Sequence, residues 1–595
     1  MFVGCVALAT SCDLTENVQV KADKSMIFGS KSGLELYSNS FYKALPTLKN
    51  GFMQDKMCDV GAVSNTDTFI KRGAYNTETA TSWSWGALKN VNYFIDGCND
   101  PKYCTVEAET RDNYLGIARW FRAWFYYDKL TTYGEVPWFP NDIQSYQNDV
   151  MYKDRDSRDV IIRNLIADLD FAYEHIQATS STGSSTLTRW AAAALKSRVC
   201  LFEAAYRRYH NLTELEITPE ELYREAAKAA KLVIDNSGCS LNTATGKKGA
   251  YRDLFYNETP LTQEVILAVC ANEKSGIFGE QNWWFNARSY GLCWSLVRSF
   301  VHTYLKLDGT PFTDAADYAV KSFTEEMEGR DLRLEQTVRG RNFLWDGKTA
   351  VADIKNLSLT GYQVIKYTLD ESKYDGGAKN INSIPLIRYA EVLLNYAEAQ
   401  AELGVITDSE WALTVGALRK RAGITGGTET LPTTVDGYLQ RTFYPDVTSP
   451  VLLEIRRERA IELVAEGMRF DDLRRWKCGS LMETLPWSGI HIPGLEQPVD
   501  VNGDGVDDYY FTEGEVTAAP AAYRNIAIRV NQDGVGLYAE ANAVAGYDLV
   551  YKTGAGDRYW YPDGRQYLYP IPAKVIRDYK NAGYTISQNP YWDNE

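Results

Sequence analysis

Tyr114-Leu115-Gly116-Ile117-Ala118-Arg119-Trp120-Phe121-Arg122-Ala123-Trp124-Phe125-Tyr126-Tyr127-Asp128 is the stretch on which the fold turns. Tyr114, Ile117, Phe121, Trp124 and Phe125 recur three and four apart, the spacing of a helix that lays one stripe on a core. Arg119, Arg122 and Asp128 fall between them. The pattern predicts a helix over 107–130, closed by Thr131-Thr132-Tyr133-Gly134 with Pro137 just beyond. Working outward, the same reasoning predicts helices at 158–176, 189–209, 219–236, 385–403, 409–422 and 451–464. The helix at 219 has a start signal: Thr218 as cap, Pro219 at the first position and Glu221 at the third. Ala191-Ala192-Ala193-Ala194 are small enough to let helices approach closely. Glu264-Val265-Ile266-Leu267-Ala268-Val269 reads as a strand. Between Gly479 and Leu568 the chain is rich in Gly, Asp and Tyr with few helical signals, and a stretch of that size is functional or carries its own strands. The fold class expected is mainly α: a helical scaffold with long loop-rich insertions and a few short strands.

Composition narrows the function classes. A net charge of −15 over 595 residues argues against a nucleic-acid partner, which would call for a basic face. Forty Tyr and fifteen Trp exceed what a core needs and suit surfaces that grip a wet ligand. The four histidines, His175, His210, His302 and His491, have no metal-like spacing, so neither a His-based zinc site nor a Ser-His-Asp triad is expected. No stretch after residue 12 has the roughly eighteen apolar residues of a membrane span. Cys98 and Cys104 bracket Asn-Asp-Pro-Lys-Tyr and are compatible either with a local disulfide or with free thiols.

Three constellations stand out. Gln281-Asn282-Trp283-Trp284-Phe285-Asn286-Ala287-Arg288-Ser289-Tyr290 places three aromatics in a row, and three consecutive side chains cannot all face one core. An indole face packs on the C–H face of a sugar, and Asn282 and Arg288 suit its hydroxyls. Asn282, Trp283, Trp284, Arg288 and Tyr290 are therefore candidate ligand contacts, against the alternative of an aromatic cluster bridging two elements. Trp85, Leu88, Val91 and Ile95 share a helical stripe, whereas Trp83 points elsewhere from the loop before it and is a further candidate. Asp500-Val501-Asn502-Gly503-Asp504-Gly505-Val506-Asp507-Asp508 follows a calcium-loop pattern, with Asp500, Asn502, Asp504 and Asp508 as oxygen ligands and Gly505 at the turn. Phe511 stands where such loops carry a bidentate Glu, and tight Asn-Gly and Asp-Gly turns are the competing reading. No other cofactor is expected. Glu458, Glu462 and Glu466 lie four apart, but the surrounding arginines mark them as structural ion pairs rather than a catalytic pair.

Four ordered blocks carry a family resemblance. They are Ile387-Arg388-Tyr389-Ala390-Glu391-Val392-Leu393-Leu394-Asn395-Tyr396-Ala397-Glu398-Ala399, then Arg456-Arg457-Glu458-Arg459-Ala460-Ile461-Glu462-Leu463, then Glu466-Gly467-Met468-Arg469-Phe470-Asp471-Asp472-Leu473-Arg474-Arg475-Trp476, and the tail Gln566–Pro572 with Ser587-Gln588-Asn589-Pro590-Tyr591-Trp592. Arg122–Tyr127 and Tyr133-Gly134-Glu135-Val136-Pro137 add to it. The set resembles the SusD/RagB family of surface lipoproteins. The resemblance implies a tetratricopeptide-like scaffold, with residues 13–238 as its N-terminal half and 239–595 as the half carrying the ligand site and insertions. It implies a binding protein and no enzyme, which captures an oligosaccharide, or less often a peptide. That ligand would pass to a SusC-type TonB-dependent transporter, with the protein acting as its lid. Leu8-Ala9-Thr10-Ser11-Cys12 then resembles the end of a lipoprotein signal, with Cys12 lipidated and the protein held on the outer face of the outer membrane. The apolar run is short and lacks a basic start, so the true start is expected upstream. A secreted glycoside hydrolase and a scaffold binding only protein are the competing functions, the latter requiring Trp283 and Trp284 to be buried.

Overall fold

The computed structural model describes residues 24–49, 53–286, 293–552 and 558–593. Cys12 with its leader, Arg288 and Tyr290 lie outside these residues. Helix makes up 43% and strand 10%, so the chain is mainly α as expected. The decisive stretch forms the helix Ala108–Tyr133, closed by Gly134 at φ 75°, where the backbone turns into a region that favours glycine. The helix is flanked on two sides, by Gly86–Asn99 and by Arg158–His175. That second neighbour changes which residues are inside. Trp120, Phe121, Tyr126 and Leu130 are fully enclosed, whereas Trp124 and Phe125, read from the sequence as core-facing, are only half-buried. Arg122 is also internal: its guanidinium makes a two-pronged ion pair with Asp168 at 2.6 and 2.7 Å.

The helices then pack in series. Ala108–Tyr133 meets Arg158–His175, which meets Arg189–His210, then Pro219–Asn236, then Tyr389–Glu402, then Pro450–Glu462. This stacking of antiparallel neighbours is the tetratricopeptide-like scaffold. Ala191–Ala194 are buried as the close approach requires, and Trp120 Nε1 donates to the Ala191 carbonyl at 3.2 Å. The Thr218 cap closes a full capping box with Glu221. Two expected helices are corrected. The 385–403 segment begins as a strand, Ile384–Arg388, antiparallel to Val265–Val269, and turns helical only at Tyr389. The 409–422 segment is two helices, Asp408–Leu413 and Val415–Arg421, broken at Thr414. The 479–568 insertion carries its own strands: Ser488–Ile492, Tyr547–Tyr551 and Leu537–Ala541 form one sheet, and a second is built on Tyr509–Thr512.

The C-terminal tail packs back on the N-terminal half of the chain. Tyr569 stacks on Phe69 with ring centres 3.9 Å apart. Asn589 Nδ2 donates to the carbonyls of Tyr133 and Tyr569, and Gln588 exchanges two hydrogen bonds with Ile571. The tail motif is thus a clamp on the end of the Ala108–Tyr133 helix. Among the described residues, no helix is long and apolar enough to cross a membrane.

Candidate functional site

A cavity of about 800 Å³ lies where the C-terminal half of the Ala108–Tyr133 helix faces the strand Ile384–Arg388 and the helix Arg469–Arg475. Residues 44–46 and 56–57 close another side. The half-buried Trp124 and Phe125 supply its aromatic surface, and Trp124 is held parallel to the buried Trp120 at 5.3 Å. Polar groups ring these two aromatics. Lys129 Nζ donates to the Ser82 carbonyl at 3.3 Å and lies 5.2 Å from the centre of the Phe125 ring. Lys56 pairs with Asp67 at 2.7 Å, and Arg198 with Glu391 at 2.6 and 2.7 Å. Arg474 donates to the Thr131 carbonyl at 2.6 Å and to Asp471 at 2.5 Å, while Asp128 reaches solvent. A few oriented polar groups around an apolar surface are what a pocket for a small polar ligand requires.

The floor of the cavity is ionic. Glu466 accepts from Lys366 at 2.7 Å and from both prongs of Arg388 at 2.7 Å. Burial pushes the Glu466 carboxyl up, but Arg388 and Lys366 outweigh it and hold it below its usual range. Burial lowers the Lys366 ammonium to about 8, against the pull of Glu466. Glu462 takes Arg333 at 2.8 Å, Arg388 at 2.6 Å and also Arg421. Glu458 takes Arg333 at 2.5 Å and Arg419 at 3.1 Å. The three carboxylates four apart are therefore committed to cations, as read from the sequence. Beneath them Asp55 Oδ2 accepts from Gly467 N at 3.0 Å, while its buried Oδ1 has no hydrogen-bond partner.

Trp83 sits beside this cavity. It lies in the loop before the helix Gly86–Asn99, as expected, with its neighbour Ser82 in the cavity wall. Its half-buried ring meets Tyr133 edge-on at 4.9 Å and Trp85 at 5.3 Å. The run Gln281–Asn286 is a short helix outside the cavity lining. Just before it, Glu280 makes a 2.9 Å ion pair with Lys49. Asn380 and Asn382, which hold this helix, run directly into the strand Ile384–Arg388. As the run of three aromatics predicts, Phe285 enters the core while Trp283 and Trp284 are half-buried, their rings 5.0 Å apart. Trp283 and Trp284 do not meet the burial that a scaffold binding only protein requires. Asn282 is corrected: it is fully enclosed, and its amide bonds Leu369 N and O, Asn380 and Asp375. Those partners occupy both its oxygen and its nitrogen, so it positions the helix and leaves the set of ligand contacts.

The Asp500–Asp508 loop is closely hydrogen-bonded to itself. Asp500 accepts from Gly503 N and Gly505 N, Asn502 from Asp504 N, Asp504 from Val506 N, and Asp508 from Val501 N, all within 2.7–2.9 Å. Its oxygens hold the loop's own amides in a chain of tight turns. Among the described residues no three His, Cys, Asp or Glu side chains converge as a metal site. Cys98 and Cys104 are free thiols.

Trp124, Phe125, Asp128 and Lys129 are the residues that sequence reasoning missed. The signal was present: Trp124-Phe125-Tyr126-Tyr127 is a run of four aromatics on a helix, and four consecutive side chains cannot share one face.

The comparisons agree with this architecture. The SusD family model matches residues 263–592, more than half of the chain. The chain belongs to the SusD family. Within this SusD family chain the matched region holds the strand Ile384–Arg388, the ionic floor and the tail clamp, whereas Trp124 and Phe125 precede it. A SusD-like protein, P38, of Formosa agariphila is 25% identical over 378 residues. That match spans 61% of this chain and 66% of the relative's length. Similar solved structures cover almost the whole chain. A SusD-like protein from Bacteroides fragilis is 21% identical, with a TM-score of 0.66 over 96% of this chain and 98% of its own. A SusD-like carbohydrate binding protein from the same species is 19% identical, with a TM-score of 0.66 over 93% and 99%.

Proposed function

We propose that this SusD family protein captures an oligosaccharide and changes none of its bonds. The observation that carries the reading is the cavity of about 800 Å³, in which half-buried Trp124 and Phe125 stand among polar groups already oriented by protein partners. Flat aromatic faces take the C–H faces of sugar rings, and pre-oriented polar groups bind hydroxyls without first being ordered. Trp83, whose neighbour Ser82 is in the cavity wall, extends the aromatic surface for a chain longer than the cavity. The Glu458, Glu462 and Glu466 carboxylates are neutralised by arginine and lysine, which disfavours a hydrolase built on that segment. The captured chain passes to a SusC-type TonB-dependent transporter of the outer membrane, with the protein closing over it and anchored through a lipid on Cys12. Closure requires tighter binding in the closed state than in the open one.

The test is affinity electrophoresis of the protein through gels holding a panel of polysaccharides, with chromatography of each glycan after incubation. Retardation by one glycan class, with no shorter products, is the expected result. Release of products would establish the hydrolase instead. Binding only to peptides would move the protein to the peptide-capturing alternative.

A further inference from the structure

The helix Ala108–Tyr133 turns one face to the cavity, on which Trp124, Tyr127, Asp128 and Thr131 follow one another at three- and four-residue spacing. Tyr127 is the most deeply set ring of this face, and it meets Phe202 edge-on at 5.9 Å. One turn before Phe202, on the helix Arg189–His210, stands Arg198. Its Nε and Nη2 are committed to Glu391 and to the Leu386 carbonyl. One turn after Tyr127, the Thr131 carbonyl takes Arg474, and the same guanidinium holds Asp471 through Oδ1 at 2.5 Å. A fixed cation on one neighbouring helix and a fixed carboxylate on another thus flank Tyr127. Both charges are felt at its phenol, which Asp471 raises and Arg198 lowers. Each of the three residues keeps one polar atom open. Among the described residues the Tyr127 hydroxyl, Arg198 Nη1 and Asp471 Oδ2 take part in no hydrogen bond. None is among the buried polar atoms left without a partner, so each is reached by solvent, and all three residues line the cavity.

We propose that Arg198 Nη1, the Tyr127 hydroxyl and Asp471 Oδ2 together read neighbouring, unsubstituted hydroxyls of a sugar residue held in the cavity. This rests on the oligosaccharide reading above and names the sugar chemistry that the site selects. Arg198 only donates, Asp471 only accepts, and the phenol does both. A sugar hydroxyl accepts from the first and donates to the second, whereas an ether or ester oxygen only accepts. An O-acetylated or O-methylated residue therefore leaves Asp471 Oδ2 stripped of water with no donor, and an unpaired charged acceptor costs more than the bond it has lost. A uronate or sulfate also brings acceptors alone, and sets a like charge against Asp471. Burial pushes the Tyr127 phenol up and keeps it a donor. Glu391 and Arg474 hold Arg198 and Asp471 in place before a ligand arrives, so little ordering is left to oppose binding.

The test is calorimetric titration of the wild type, Tyr127→Phe and Asp471→Asn with matched fragments: xylan and O-acetylated xylan, glucomannan and O-acetylated glucomannan, starch and O-methylated starch. Polygalacturonate is the charged member, and thermal melting of each protein accompanies the titrations. The wild type is expected to bind the unsubstituted member of a pair at least about 10-fold more tightly than the substituted one. Tyr127→Phe, which removes a single oxygen, should weaken the unsubstituted ligand about 5-fold. Asp471→Asn should weaken it about 10-fold and bring the substituted member closer to it. Pairs bound equally, or polygalacturonate bound as tightly as a neutral fragment, would overturn this selection and leave glycan capture standing. So would variants that melt like the wild type and bind as it does. Should Asp471→Asn not fold, an unchanged affinity in Tyr127→Phe overturns the proposal by itself. Binding of no glycan would overturn both.

Discussion

Replacing Asp55 by Asn is expected to flatten the dependence of stability on pH. Asp55 is fully buried, and burial raises its carboxyl from 3.8 to about 7, with the Gly467 amide opposing. Lys366 lowers it further and Glu466 raises it. The folded carboxyl keeps its proton to near pH 7, whereas the unfolded one releases it near 3.8. Between those values the folded state binds more protons, so stability falls as pH rises. The contribution is whole below the unfolded value and lost above the folded one. At about 1.4 kcal/mol per pH unit the full loss is about 4 kcal/mol, of which about 3 falls between pH 5 and pH 8. The assay is urea denaturation of both proteins across that range, taking the difference between them so that other titrating groups cancel. The wild type should lose about 3 kcal/mol relative to Asp55→Asn as pH rises from 5 to 8. Profiles that stay parallel within about 0.5 kcal/mol would refute the reasoning, because they would mean that Asp55 is already ionised in the fold.

Two further outcomes are expected. Arg122→Ala leaves Asp168 buried with, among the described residues, only Arg119 as a cation, 4.0 Å away, and should cost about 3–5 kcal/mol in chemical denaturation; a loss under about 1 kcal/mol would mean that the pair is solvated. Millimolar calcium should leave the melting temperature unchanged if the Asp500–Asp508 loop is held by its own amides, whereas a calcium-dependent rise abolished by Asp500→Ala would show that its oxygens regroup around the ion.

Much of the fold was legible because its signals are local. Helix periodicity, the Thr218 capping box and the Gly134 stop all act within a few residues. What failed was decided by distant partners. Pro385–Arg388, read as the start of the 385–403 helix, is drawn into a strand by Val265–Val269, more than a hundred residues earlier. Arg122 falls between the residues of the apolar stripe, and its burial is decided by the helix Arg158–His175, which brings Asp168 against it. The site was legible in the same partial way. A run of aromatics identified Trp283 and Trp284 as partly outward, since helix geometry forbids a shared face. Asn282 was misjudged because Leu369, Asn380 and Asp375 are remote in sequence. Trp124 and Phe125 were assigned to a single stripe, whereas the helix that carries them is flanked on two sides and leaves both at a cavity.

The most direct test of oligosaccharide capture is calorimetric titration of the glycan class found by electrophoresis into the wild type and into Trp124→Ala. Trp124 is half-buried and rests on Trp120, so its truncation removes an aromatic face from the cavity. Capture in the cavity predicts a saturable heat for the wild type and an affinity weakened about 10-fold or more in the variant, with the fold retained. Equal affinities in two proteins that melt alike would contradict binding in the cavity, and no heat with any glycan would contradict capture itself.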